Sequence, residues 1–449
     1  MHVLLVATYE LGHQPLHLAA PAASLRARGH EVRTLDVSQE PWDPAAVDWA
    51  DKVAFSVPMH TATRLTRELA AGINRPVCCY GLYASMCTDF AEHVLAGEYL
   101  PGFLEWVEDN RDGPVVRLGR EAAHSDTPLP ARDLLPSLEH YVHLTIGGER
   151  RAVGYVETSH GCAHRCRHCP VPVVYDGRIR IVNHDAVLRD VEQLTTMGAR
   201  HITFGDPDFL NGVQHSLRVV QALHQRFPEL TFDCTTKVEH ILKYEDIWTT
   251  MTAAGCLFVV SAFESVDDHV LARLDKGHTA ADAARATAVL RRHGIEVRPS
   301  LLPFTPWTTR AGMIALLEFV YDHDLVGSVD PVQYTIRLLL PEGSLLLNHP
   351  DLAPHLGPYD PERLTHTWTA ADPDADMLQT ELADLVEHSI AAGEPIPDTY
   401  RQIRQAVGAP PVNLRPCTTN RPRLTESWFC CAEPTPAQRL VAVAQHSQR

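Results

Sequence analysis

The sequence predicts an α/β protein: a doubly wound, Rossmann-like N-terminal domain, a barrel-like array of about six strand–helix units, and a mostly helical C-terminal extension. Three observations carry this. Short apolar runs alternate with helical patterns from the first residues onward, and the alternation becomes regular after residue 151. Three cysteines also crowd into Cys162-Ala-His-Arg-Cys166-Arg-His-Cys169, at a turn directly after one predicted strand. Strands separated by helices imply a parallel sheet covered on its faces by those helices. At 449 residues the chain holds two or three domains. The pattern divides it into 1–100, a linker 101–150, the array 151–345, and an extension 346–449.

Composition narrows the class. A net charge of −17 excludes a general nucleic-acid binder, which carries a basic face. The first residues, Met1-His-Val-Leu-Leu-Val-Ala-Thr, have no basic segment and read as a strand rather than a leader. No run approaches the roughly 18 apolar residues of a membrane helix. The expected setting is the cytoplasm, with no membrane partner. Thiols stay reduced there, so eleven cysteines point to metal binding or catalysis rather than disulfides.

In residues 1–100, strands are expected at Val3–Ala7, Val32–Leu35, Val53–Val57 and Val77–Tyr80, with helices at Leu16–Arg28 and Thr63–Ile73. Ligands of such folds sit beyond the carboxyl ends of the strands, here Thr8–His13, Pro58–Thr63 and Gly81–Ser85. Cys78 and Cys79 neighbour each other on a strand, point to opposite faces and read as small buried hydrophobes. The linker, rich in Pro, Asp and Gly, reads as a crossing segment over the next domain.

The array begins with the strand Val153–Thr158. Strands follow at His201–Phe204, Leu230–Cys234, Leu257–Ala262, Glu296–Leu301 and near Val332–Leu338. Helices lie between them, one of them capped by Asn183 and stopped at Gly198. In parallel barrels the chemistry lies at the strands' C-terminal ends, which is where the cysteine loop falls. Three thiolates this close can converge on one metal centre. An iron–sulfur cube takes four cysteines, so three leave one iron open to a small molecule. The alternative is a zinc knot, whose fourth ligand would be His160, His164, His168 or a distant cysteine.

The cysteine spacing after Thr158-Ser159-His160-Gly161 resembles the cluster loop of the radical S-adenosylmethionine (SAM) enzymes. The resemblance implies a partial (β/α)6 TIM-like barrel with a 4Fe–4S cluster on Cys162, Cys166 and Cys169, and SAM on the open iron. It further implies that Gly205 and Asp206, in Phe204-Gly205-Asp206-Pro207-Asp208-Phe209, line the SAM amino group. Lys237 would lie near the SAM carboxylate, Glu264 on the ribose hydroxyls, and His168 beside the adenine, where relatives commonly carry an aromatic residue. Arg298 and Arg337 are candidate anion-binding groups at strand positions. Pro303-Phe304-Thr305-Pro306-Trp307 departs from the Gly-rich loop of relatives. The N-terminal domain resembles the cobalamin-binding domain of one subgroup, although no Asp-x-His-x-x-Gly signature is present and Tyr83 fills space in the Gly81–Ser85 loop. Cobalamin is therefore a further possible cofactor. The partners implied are a small-molecule substrate and an electron donor such as flavodoxin or ferredoxin.

In the extension, Leu378, Leu382 and Leu385 form an apolar stripe that reads as core packing. The chain ends with Cys417, Arg421-Pro-Arg423 and Trp428-Phe429-Cys430-Cys431-Ala432-Glu433-Pro434, resembling a radical SAM subgroup with a Cys-Cys-Ala-Glu-Pro tail. Cys430 and Cys431 are candidate catalytic thiols, joined by Cys417: they would bind a soft element such as trivalent arsenic, ligate a second metal, or act as a redox pair. A docked structural tail is the plain alternative. The function expected is reductive SAM cleavage to a carbon radical. The alternatives are a cobalamin-dependent radical SAM methyltransferase or rearrangement enzyme, and a non-catalytic metal-binding module.

Overall fold

The computed structural model describes residues 1–108, the strand at 115–119, 128–414 and 421–426. The N-terminal sheet consists of β1 (His2–Ala7), β2 (Glu31–Asp36), β3 (Lys52–Ser56), β4 (Val77–Tyr80), β5 (His93–Gly97) and β6 (Val115–Gly119). All its pairings are parallel, in the order β2-β1-β3-β4-β5-β6. The order reverses between β1 and β3, and at such a reversal the loops part to leave a crevice. Cys79 packs into the cluster with Phe55 and Val94, and Cys78 into the one with Leu5 and Phe103, so the neighbours do face opposite ways. Four strands match expectation. β5 and β6 do not, and β6 carries the sheet past residue 100 into the segment assigned to the linker.

Residues 128–142 cross to the second domain. The guanidinium of Arg132, wholly buried, donates to both carboxylate oxygens of Asp190 at 2.7 Å, to the Tyr155 carbonyl at 2.7 Å and to Gln14 Oε1 at 3.0 Å. One side chain thus ties the N-terminal domain to the barrel. A buried cation is tolerated because each bond it makes is accounted for.

The second sheet opens with the hairpin β7 (His143–Ile146) and β8 (Glu149–Val156). A short antiparallel pair, β9 (Ser159–Gly161) and β10 (Ile179–Ile181), then brackets the cysteine loop. Parallel strands β11 (His201–Phe204), β12 (Thr231–Thr235), β13 (Cys256–Glu264) and β14 (Glu296–Leu301) follow. A hairpin of β15 (Leu356–Asp360) and β16 (Thr365–Trp368) belongs to the extension, and β17 (Arg423–Leu424) returns to pair with β7. The order is β14-β13-β12-β11-β8-β7-β17, a half-barrel with five parallel strands.

The expected sixth unit is thereby corrected. Residues Pro331–Tyr334 form a 3-10 turn, and Phe304 makes one isolated parallel bridge to Arg337. Phe304 donates to the Ile336 carbonyl at 3.1 Å and accepts from Leu338 at 2.8 Å. Pro303 and Pro306 on either side have no N–H to extend the ladder.

The outer helices bear out the periodicity. Asn183 caps His184–Thr196 by accepting from Asp185 and Ala186, and Thr279 with Asp282 forms a capping box on Ala280–Arg292. The extension packs its helices Pro373–Ala391 and Ile396–Val407 on the same core. Leu378 and Leu382 are buried there and Leu385 partly so, as core packing requires. Each such leucine contributes about 1.5–3 kcal/mol of burial.

Candidate active site

The cysteine loop leaves the C-terminal end of β8 and is shaped by one glycine. Gly161 has φ +75°, and a Cβ there would lie 2.3 Å from the Arg178 carbonyl oxygen and 2.7 Å from the Tyr175 ring. Only glycine lets the ends of the loop close as β9 and β10. Farther along, the Arg167 amide donates to the Leu274 carbonyl at 2.9 Å, the Leu346 amide donates to the Arg167 carbonyl at 3.0 Å, and the Cys169 amide turns back to the Cys166 carbonyl at 3.2 Å. Asn211 Oδ1 accepts from the Ala163 amide at 3.3 Å and lies 4.0 Å from Cys162 Sγ. None of the three cysteines is in a disulfide; Cys162 and Cys166 are buried and Cys169 half-buried.

The donor set fits an iron–sulfur cluster. Soft thiols on one turn are what such a cluster takes, and the buried Lys276 ammonium interacts electrostatically with Cys166 and Cys169. Burial, the largest influence on Cys162, pushes its thiol up, so a bound cation would be needed to hold it ionised.

Around the loop the structure brings several predicted residues together. Glu264 ends β13 in a left-handed conformation at φ +60°, where the register with β14 slips. Strain of this kind costs about 1–3 kcal/mol and tends to gather at functional sites. Its Oε1 accepts from Lys276 Nζ at 3.0 Å and lies 3.2 Å from His168 Nε2. Burial opposes its ionisation, but the Lys276 charge and the His168 hydrogen bond hold the carboxyl far below the usual range. His168 Nδ1 is buried without a partner. Lys237, buried just beyond β12, lies 3.5 Å from Glu239. Gly205 ends β11 where a Cβ would stand 2.0 Å from the Tyr155 ring, so the strand end must be bare.

Three predicted residues are engaged otherwise. Both carboxylate oxygens of Asp206 are taken by the Thr158 amide (2.9 Å), the Thr158 hydroxyl (2.7 Å) and the Ser159 hydroxyl (2.6 Å). Asp206 thus staples the loop's first residues. Arg298 pairs with Asp330 at 2.8 Å and reaches the Pro422 carbonyl. Arg337 is committed to Asp376 and stacks over Trp368 at 3.6 Å. Cys417, Cys430 and Cys431 lie outside the described residues.

The N-terminal crest meets the barrel mouth through a half-buried network that sequence reasoning missed. His160, two residues before Cys162, lies 2.9 Å from Glu98 on one ring nitrogen and 3.2 Å from Glu157 on the other. Glu157 also contacts His17 at 3.3 Å and accepts from Tyr155 at 2.9 Å, while Tyr175 donates to Glu98 at 3.1 Å. Burial disfavours charge on His160, but the hydrogen-bonded carboxylates outweigh it and hold its pKa well above normal. For His17, burial is overcome by the Glu157 charge and the value rises to about 9. Two imidazolium cations thus balance two carboxylates. Glu157 directly precedes the quoted Thr158-Ser159-His160, and an acidic residue three positions before a histidine was the available signal.

Residues 156–320 match the sequence model of the Radical SAM superfamily. This match, the three-cysteine loop and the half-barrel define the class: residues 156–320 form a radical SAM domain, of the family that uses a 4Fe–4S cluster and SAM. Among curated proteins it is 22% identical to the hopanoid C-3 methylase of Methylococcus capsulatus over 326 residues, 66% of this chain and 62% of that one. It is 24% identical to an uncharacterized methyltransferase of Synechocystis sp. over 42% of this chain and 35% of that protein. The chain therefore spans less than two thirds of either. Of solved structures, the radical SAM methyltransferase TsrM of Kitasatospora setae, with cobalamin and a [4Fe-4S] cluster bound, superposes with a TM-score of 0.64 at 17% identity, covering 90% of this chain and 99% of that one. OxsB, a cobalamin-dependent SAM radical enzyme with aqua-cobalamin bound, gives 0.64 at 14% identity, covering 87% and 67%. At these identities the likeness is one of fold. Among the described residues no helix is long and apolar enough to cross a membrane.

Proposed function

We propose that this chain is a cobalamin-using radical SAM methyltransferase acting on a small molecule held between the N-terminal crest and the barrel mouth. The observation that carries this is the apposition of the two strand-end surfaces through Glu98, His160, Glu157 and His17. Whatever the crest binds lies on the side from which the cysteine loop emerges.

Several features of the crest suit a corrin. Gly81 and Gly97 end β4 and β5 at φ +119° and +76°, and His13 has a buried Nδ1 without a partner. Tyr83 packs on Met59 and Ala62 and would have to yield. The residues that would hold the group are those of the β1, β3, β4 and β5 ends. When bound, cobalamin would relay a methyl group to the substrate, and the cluster with SAM would supply reductive cleavage. The chain's own part is geometric and electrostatic. Asp206 and Gly161 set the loop, Lys276 and Glu264 set the charge beside it, and the Glu157 network ties the two domains at the seam. The electron donor, in this reading, is a flavodoxin or ferredoxin and the setting cytoplasmic.

The test is anaerobic reconstitution with iron, sulfide and cobalamin, followed by SAM and reductant. Cobalamin should stay with the protein through gel filtration, and S-adenosylhomocysteine should appear. A protein that cleaves SAM yet retains no cobalamin would overturn the methyl-transfer reading.

That outcome would favour a second reading, in which the tail thiols present the substrate or a soft element such as arsenic. Its support is the course of β17: the Thr425 amide donates to the His143 carbonyl at 2.8 Å, Tyr9 donates to Glu426 at 2.5 Å on the crest, and Cys430 follows four residues later. Cys430→Ala and Cys431→Ala should then spare SAM cleavage and stop product formation.

A further inference from the structure

We propose that His164, Asp208 and His240 form a second, mononuclear site for a borderline divalent cation of the zinc class, beside the cluster loop and separate from its thiols. His164 lies inside the loop, Asp208 follows β11, and His240 sits on the short helix Val238–Lys243 after β12. One ligand atom from each lies within 4.8 Å of the other two. Asp208 Oδ2 is 2.9 Å from His240 Nδ1 and 3.7 Å from His164 Nε2. Tetrahedral zinc with bonds of about 2.0–2.2 Å places its ligand atoms about 3.4 Å apart, between those two separations.

The second, independent observation is that Asp208 Oδ2, His240 Nδ1 and His164 Nε2 are all buried without a formed hydrogen bond; the 2.9 Å approach lies off the hydrogen-bonding direction. Asp208 is wholly buried and His240 only 6% exposed. Three orphaned polar atoms aimed at one point are costly unless something binds them.

The surroundings have the form of a metal's outer shell. The other oxygen of Asp208 accepts from the Thr236 hydroxyl at 2.7 Å and the Leu210 amide at 3.1 Å, which fixes the carboxylate. The other nitrogen of His164 lies 3.8 Å from Glu239. Lys237, the nearby cation, lies 3.5 Å from Glu239, leaving the Asp208 charge for the ion. Two imidazoles and a carboxylate form a harder set than the thiolates, suited to zinc or ferrous iron. Such an ion would pin the middle of the cysteine loop to the ends of β11 and β12.

The test uses the reconstituted, cluster-loaded protein, given zinc and desalted. Zinc K-edge absorption should show nitrogen and oxygen neighbours at about 2.0–2.1 Å and no sulfur shell at about 2.3 Å. His240→Asn and His164→Gln should each lose that zinc while cluster iron and sulfide are kept; His164, partly exposed, serves if His240→Asn fails to fold. Zinc retained by either folded variant, a sulfur shell, or no zinc bound by the native protein would overturn the site.

Discussion

Gly161→Ala tests how the cysteine loop is shaped. The backbone at this position is left-handed at φ +75°, which costs an L-residue about 1–2 kcal/mol. The new methyl would lie 2.3 Å from the Arg178 carbonyl oxygen, a backbone atom held by the β9–β10 pair and unable to swing away. Overpacking of this kind adds about 1–3 kcal/mol, for a total of about 2–5 kcal/mol. Gly147→Ala is the matched control: its φ is +57°, but nothing lies within 4 Å of the added carbon, so only the conformational cost applies. Urea midpoints of the two variants, read beside cluster iron after reconstitution, separate the effects. Gly161→Ala should fall well below Gly147→Ala in midpoint and lose most of its cluster. Equal midpoints and equal iron would refute the claim that this glycine closes the loop.

Three further outcomes follow from the same contacts. Replacing Glu264 with Gln leaves the buried Lys276 without its anion and should cost about 3–5 kcal/mol; its carboxyl is depressed in the fold, so the contribution is present above its ordinary pKa near 4.5 and is lost as pH falls below it, which an acid titration of the midpoint would show. His17 is raised to about 9, so its contribution to the domain seam is complete below pH 6.5 and declines as pH rises to about 9; hydrogen exchange at residues 155–161 should quicken across that window, and His17→Gln should lack the step. Arg298→Met should leave SAM binding unchanged and hasten proteolysis beyond Arg421, because Arg298 holds Asp330 and the Pro422 carbonyl; weakened SAM binding would restore it to the cofactor site.

Much of this was legible because local signals were strong. Asn183, Thr279 and the alternating runs specify helix starts and buried strands within a few residues, and the cysteine spacing specifies a chemistry that few other arrangements serve. The sixth strand was misread because Val332–Leu338 is apolar enough for a strand, while the prolines that starve its ladder belong to the distant 303–306 segment. Arg298 and Arg337 show what a local window hides: their partners, Asp330 and Asp376, lie 32 and 39 residues away. Asp206 shows that a residue in the expected place also shapes the loop. The Glu98–His160–Glu157–His17 network joins two domains, and no local window contains it.

The central claim is that Cys162, Cys166 and Cys169 hold a cluster that cleaves SAM. Its most direct test is SAM cleavage by the anaerobically reconstituted protein, with Cys166→Ala treated identically. The native chain should show the brown cluster absorbance and turn over SAM, and the variant should do neither. Cleavage that survives in Cys166→Ala would contradict the account.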